Sequence, residues 1–240
     1  MGKLEIKNLI VETDGKIVVN DVSFVVESGE AHVLMGANGS GKTSLVNALA
    51  GHPKYKITQG EILLDGKDMT KSSVDERAKA GMFLSMQILP EIEGVTFVKF
   101  LHTAYKSLKG GEISVLDFYK YLEQKADSIG VNKDFLKREL NVGFSGGEKK
   151  QSEILQLLAL EPKFAFLDEI DSGVDIDAIN RVFTGIEQLR KEGTAFLLVT
   201  HNLNILDKIT PDMVYVMKDG KIIKKGKEEL VEEIKKKGFN

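Results

Sequence analysis

One run, Gly36-Ala37-Asn38-Gly39-Ser40-Gly41-Lys42-Thr43, has the residue types and spacing that a triphosphate demands, and it fits the pattern G-x-x-x-x-G-K-[ST] in full. Glycines let backbone N–H groups turn inward around phosphates without side-chain clash. The Lys42 ammonium can reach β- and γ-phosphates, and the Thr43 hydroxyl can ligate Mg²⁺. Ser44 continues the same phosphate-binding run into the segment that follows. A second set of chemical groups closes the apolar run Phe164-Ala165-Phe166-Leu167 with two acids, Asp168 and Glu169. Asp168 is placed to bind Mg²⁺ through water, and Glu169 to polarise an attacking water. On its own, a strand ending in two acids is ordinary. A phosphate loop upstream in the same chain is what gives these acids a task. The chemistry these residues point to is binding and hydrolysis of a nucleoside triphosphate.

These groups need elements to hold them. Residues 31–35 form a short apolar run that ends at Gly36, as a buried strand would. Residues 44–50 have helical character, ended by Gly51 and Pro53. A helix opening on the glycine-rich loop presents its unpaired N–H groups and positive dipole end to an anion. Upstream, Leu4, Ile6 and Leu9 suggest an edge strand, and residues 17–26 a second strand. Residues 60–64 lead as a strand into the turn Asp65-Gly66-Lys67. The middle is different: residues 97–109, 115–128 and 132–140 show helical spacing and no strand signal, with Tyr119, Leu122 and Ala126 on one face. From Ser145 onward the pattern alternates again. A helix over 148–160, a strand over 164–167, a helix over 176–192 and a strand over 194–200 imply a mainly parallel sheet. The tail, 230–237, is a charged amphipathic helix whose Lys235-Lys236-Lys237 run is a solvated helix end. The expected organisation is one domain over 1–240: an α/β core from 1–87 and 145–240, and a helical subdomain from about 88–144.

Composition narrows the function classes. The chain has 240 residues, 33 Lys+Arg against 36 Asp+Glu, a net charge of −3 and 42% hydrophobic residues, so it can bury a core and has no basic excess to attract nucleic acid. With no cysteine it holds no disulfide, thiolate metal site or catalytic thiol. Its longest apolar stretches are strand-sized, well below the ~20 residues of a membrane span. A cytoplasmic chain with no direct membrane insertion is expected, so any membrane role would come through a partner.

The third motif is Phe144-Ser145-Gly146-Gly147-Glu148. By itself it reads as a helix N-cap after a flexible turn. Taken in order with the phosphate loop, the Asp168-Glu169 strand end, Ser172-Gly173-Val174-Asp175 and His201, it resembles the ABC ATPase family over nearly the whole chain. That resemblance implies an α/β fold: a phosphate-loop NTPase core of ABC ATPase type, with an inserted helical subdomain and an N-terminal antiparallel β part. It implies that Ser145, Gly146 and Gly147 cap the γ-phosphate of ATP held by a second copy of the chain, so that ATP drives a homodimer. Gln87 resembles the glutamine that touches Mg²⁺ and water. Asp175 resembles the loop acid that crosses the dimer interface, and His201 the switch histidine on the γ-phosphate. The family usually stacks an aromatic on adenine, but residues 11–19 have none, so aliphatics such as Val18 are expected there.

Finer details resemble the SufC subfamily, the ATPases of Suf iron–sulfur cluster assembly. They are Glu148 in place of glutamine, Lys149-Lys150, Glu153-Ile154-Leu155-Gln156, and Asp171-Ser172-Gly173-Val174-Asp175-Ile176-Asp177. This implies SufB/SufD-type scaffold partners, docking over residues 87–105, where Ile88, Leu89, Ile92 and Val95 lie in a loop broken by Pro90 and Gly94. The alternative is the ATP-binding subunit of a membrane ABC transporter, which shares the same chemistry. A nucleic-acid-acting ABC protein would need tandem cassettes or long heptads, and neither is present.

Overall fold

The computed structural model describes residues 2–85, 89–170 and 176–238. The chain opens with β1 (Lys3–Thr13), β2 (Lys16–Glu27) and β3 (Ala31–Met35), followed by α1 (Lys42–Ala50), β4 (Lys56–Leu64) and β5 (Lys67–Asp68). Next come α2 (Val74–Lys79), β6 (Met82–Ser85), β7 (Ile92–Thr96), α3 (Phe97–Lys109), α4 (Val115–Ser128) and β8 (Glu139–Leu140). The last part holds α5 (Gly146–Leu160), β9 (Phe164–Asp168), α6 (Ile176–Lys191), β10 (Ala195–Thr200), β11 (Met213–Lys218), β12 (Lys221–Gly226) and α7 (Glu228–Lys237).

Among the described residues the strands make three sheets. The central one runs β12-β11-β3-β10-β9-β6 and is parallel except for β12. Its strands β3, β9 and β10 are buried at every position, as a parallel sheet covered on both faces requires. One face packs against α5, α6 and the middle helices. The other packs against α1 and the four-stranded antiparallel sheet β2-β1-β4-β5.

The register of the central sheet sets up the chemistry. Thr200 pairs with Met35, and Val199 with Asp168, so the carboxyl ends of β3, β10 and β9 lie side by side. Those three ends lead to the glycine-rich loop, His201 and the Asp168-Glu169 pair. In open α/β sheets ligands bind at such carboxyl ends.

The middle of the chain is helical over Phe97–Lys109 and Val115–Ser128, two of the three stretches whose spacing predicts it. Leu101, Phe118, Leu122 and Ala126 are fully buried, and each large side chain contributes about 1.5–3 kcal/mol of burial. Three expectations change. The first strand is not an edge: β1 lies between β2 and β4, because its second partner arrives from residues 56–64. Residues 132–140 are not one helix; a 3-10 turn over Lys133–Lys137 gives way to β8. The stretch after Pro90 is not a loop: β7 pairs with β8 in a small antiparallel ribbon, and Ile92 packs against the helical core. Among the described residues no helix is long and apolar enough to cross a membrane.

Candidate functional site

The glycine-rich loop is built from backbone. Gly36 sits at φ 152°, where a Cβ would stand 2.2 Å from the Met217 carbonyl oxygen. Gly41 sits at φ 104°, where a Cβ would stand 2.5 Å from the Val18 carbonyl oxygen. Any side chain at either place collides with main chain, so the pattern's two obligatory glycines are steric requirements. Gly41 is also the N-cap of α1. It brings no side-chain cap, and the first turn of the helix has no acid, so no side chain of the helix neutralises its amides and positive end.

Lys42 is 5% exposed, and its ammonium donates to the Gly36 carbonyl at 2.8 Å and the Ala37 carbonyl at 3.0 Å. Burial pulls its pKa below the ordinary lysine range, with Glu169 and Asp168 opposing the shift. Asp168, 2% exposed, is pushed the other way. Burial raises its carboxyl above the ordinary range and Glu169 adds to this, while a hydrogen bond from the Thr43 hydroxyl and the Lys42 charge act against it. Asp168 Oδ1 is buried with no protein hydrogen-bond partner. A desolvated carboxylate oxygen beside a hydroxyl is a donor set that suits a hard divalent cation such as Mg²⁺, which takes one or two protein ligands and completes its shell with phosphate and water.

Glu169 follows at φ 52°, its N–H donating to the Val199 carbonyl at 2.9 Å. That left-handed turn swings its carboxylate off the strand axis, and Oε1 meets His201 Nδ1 at 3.0 Å. The structure therefore brings Lys42, Thr43, Asp168, Glu169 and His201 into one region.

A cleft of about 570 Å³ opens beside this group. Asn38, Gly39, Gly41, Lys42, Thr43 and Ser44 line it, with Glu169 across from them. Gly36 and Ala37 take part through the carbonyls that hold Lys42. Ser40 ties the loop to its neighbour, its carbonyl accepting from the Gly220 N–H at 2.9 Å. Ile17 and Val18 supply the apolar wall. Ile17 is 55% exposed although it is large and apolar. Sequence reasoning missed Ile17, Asp219 and Gly220 as cleft residues. Asp219-Gly220 carries the signal of a two-residue hairpin turn between β11 and β12, but only the sheet order brings that turn against the loop.

The Ser145-Gly146-Gly147 run lies elsewhere. It opens α5, with Ser145 as N-cap and Glu148 completing a capping box. Ser145 and Gly146 are exposed, and none of the three lines the cleft. Gln87 and Asp175 lie outside the described residues, as do Ser172, Gly173 and Val174.

Similarity to known proteins agrees with this geometry. A family described as ABC transporter matches residues 19–172. Vegetative protein 296 of Bacillus subtilis is 46% identical, over 99% of this chain and 92% of that protein. A protein of Streptococcus pyogenes serotype M3 named as a probable ABC transporter ATP-binding protein is 46% identical, over 100% of this chain and 94% of its own length. A crystal structure of the ADP conformation of an ATP-binding cassette of an ABC transporter superposes with a TM-score of 0.79 at 25% identity, covering 99% of this chain and 96% of the other.

Proposed function

The chain belongs to the ABC transporter family and is an ATP-binding ATPase, and on that premise we propose that it works as an ATP-driven homodimer powering iron–sulfur cluster assembly on a SufB/SufD-type scaffold. The observation that carries the dimer is the separation of two groups of residues. Lys42, Thr43 and Glu169 line one cleft with Asp168 buried beside them, while Ser145 and Gly146 stand exposed at the start of α5, outside that cleft. A two-fold arrangement closes each cleft with the other chain's Ser145, Gly146 and Gly147.

In this reading the loop amides of residues 36–44 and the Lys42 ammonium hold the phosphates of ATP. Thr43 and Asp168 would hold Mg²⁺, with Gln87 as a further ligand, and the ion supplies charge neutralisation at the transferring phosphoryl group. Glu169 accepts a proton from the attacking water as the new oxygen–phosphorus bond forms and the bond to ADP breaks. His201 holds the Glu169 carboxylate in place and then faces the γ-phosphate, and Asp175 crosses the interface. Residues 88–144 are read as a helical subdomain carrying the partner surface over 87–105, and the working compartment as the cytoplasm.

The scaffold assignment rests on the Ser145-to-Lys150 and Asp171-to-Asp177 strings of the SufC resemblance. Glu148, Lys149 and Lys150 each have a partner here: Arg138, Glu91 and Glu153. The second reading, the ATP-binding subunit of a membrane transporter, is favoured by the name of the streptococcal relative. Affinity capture of the tagged chain from cells that carry both kinds of partner decides between them. Recovery of a scaffold pair supports assembly. Recovery of an integral membrane protein without the scaffold overturns it.

A further inference from the structure

Where the family pattern has glutamine at the third residue of α5, this chain has Glu148, and the substitution creates an electrostatic conflict. Glu148 Oε2 accepts from the Ser145 N–H at 2.8 Å, and the Glu148 N–H donates to Ser145 Oγ at 3.2 Å. The reciprocal pair fixes the exposed serine that is read as facing phosphate. It also sets a negative charge at the helix end where a second negative group has to bind.

The structure holds an answer in Arg138. Its guanidinium donates to Glu148 Oε1. The same group lies 4.2 Å from the ring centre of Phe144 and 5.9 Å from that of Phe135, and the two rings are 4.5 Å apart. Phe144 immediately precedes Ser145, so one planar cation grips both the capping acid and the residue leading into the serine. The Arg138 backbone is held as well: its N–H donates to the Phe135 carbonyl at 3.2 Å, and its carbonyl accepts from the Phe97 N–H at 2.9 Å. Glu148 stays ionised under this arrangement, its carboxyl held below the ordinary range by the Ser145 N–H and then by Arg138. The pair is about one-third exposed on each side, at 39% and 34%, a situation in which an ion pair adds little to folding stability. Its larger effect belongs to the assembled site, where water is excluded and an uncompensated charge is felt more strongly.

We propose that Arg138 is a positioning residue for ATP hydrolysis: it neutralises Glu148 and fixes Ser145, so that an acid-capped helix can accept the γ-phosphate of the other chain's ATP. This rests on the dimer reading above. Arg138 does not line the cleft, so its removal should slow turnover and leave nucleotide affinity alone.

The test is a double-mutant cycle on the full-length chain, with kcat, KM for ATP, nucleotide affinity by titration and Tm measured for each variant. Arg138→Ala should lower kcat about tenfold, the scale of one lost charge-assisted contact in the transition state, with KM and affinity within about twofold of wild type. Arg138→Ala/Glu148→Gln should recover most of the lost rate, because glutamine caps Ser145 without the charge. A double variant as slow as Arg138→Ala overturns the proposal, since packing alone would then explain the loss. So does an Arg138→Ala variant as fast as wild type. Should the alanine variant be unfolded, Arg138→Gln takes its place in the same cycle. Gly146→Asp, run in parallel, separates the two layers of inference. If it hydrolyses ATP like wild type, the dimer reading fails with this one. If it is inactive and the double variant is unrescued, only the role of Arg138 falls.

Discussion

The two halves of the proposed site are made of different material. At residues 36–44 the chain builds with backbone: Gly36 and Gly41, whose Cβ positions are filled by carbonyls, and a lysine 5% exposed and bonded to its own loop. At residues 138–152 it builds with side chains, Glu148 with Arg138 and Lys149 with Glu91 on a half-open surface, and beneath them the buried Asn141 bridging Ser152 Oγ and the Pro90 carbonyl. A backbone cradle is rigid and works within one chain. A side-chain network joined to residues 90 and 91 can respond to whatever binds there. On the proposed reading, nucleotide affinity belongs to the first region, and turnover needs both.

The largest expected effect falls on the first region. Lys42→Ala should lower ATP hydrolysis on the order of 10³-fold, the scale of losing a transition-state cation, and should sharply weaken ATP binding by isothermal titration. Unchanged binding would mean that the loop holds phosphate without its lysine, and the contrast between the regions would lose its basis. Next is Glu169→Gln. Loss of the group proposed to accept the water's proton should slow hydrolysis about 10²–10⁴-fold while binding persists. With ATP trapped, light scattering should show a dimer. A monomer at saturating ATP with partner present would leave the exposed Ser145-Gly146 end without its proposed role.

A smaller effect tests the link to the partner surface. On the proposed reading, Val95→Lys and Ile92→Asp should weaken capture of the proposed scaffold more than tenfold, the loss of about 1.4 kcal/mol or more, with ATP affinity retained. Val95 is the cleaner probe, because Ile92 packs against the helical core. Capture that survives both changes in folded protein moves the docking surface elsewhere.

The smallest effect concerns stability. Burial raises the Asp168 carboxyl, so the folded chain holds that proton to higher pH than the unfolded chain does. The stability linked to it is present at low pH and is lost as pH rises from the ordinary carboxylate range into the raised one. Asp168→Asn should flatten that slope in denaturant titrations. It should also raise Tm at neutral pH by roughly 2–4 °C, the equivalent of about 1 kcal/mol in a chain of this size, while hydrolysis falls. A lower Tm would mean that the attraction between Lys42 and Asp168 outweighs desolvation.

Much of the fold is legible in the amino-acid sequence. The helices at 97–109 and 115–128 follow their apolar spacing, and the strand at 31–35 is apolar at every position but His32 because both of its faces are covered. The features that the sequence hides are short or depend on distant partners. β8 has two residues, too few for any period to register. β1 alternates as an edge strand does, but a one-sided inner strand alternates in the same way, and the strand that covers it begins more than forty residues later. Ile17 and Asp219-Gly220 become cleft residues only because β2 and the β11–β12 turn close over the loop.

Local chemistry by itself determined the phosphate loop, the paired acids and the serine-capped helix, because each depends on residues within a few positions of one another: glycines that permit a turn, a carboxylate at a strand end, a serine three residues before an acid. Tertiary structure alone decided which of these meet. The order β3-β10-β9 sets three strand ends side by side and draws Lys42, Asp168 and His201 together from distant parts of the chain. It leaves Ser145 outside and hands Glu148 to an arginine ten residues away. Adjacency in a parallel sheet is set by which hydrophobic faces can be buried at once, a condition on the whole chain that no single segment carries.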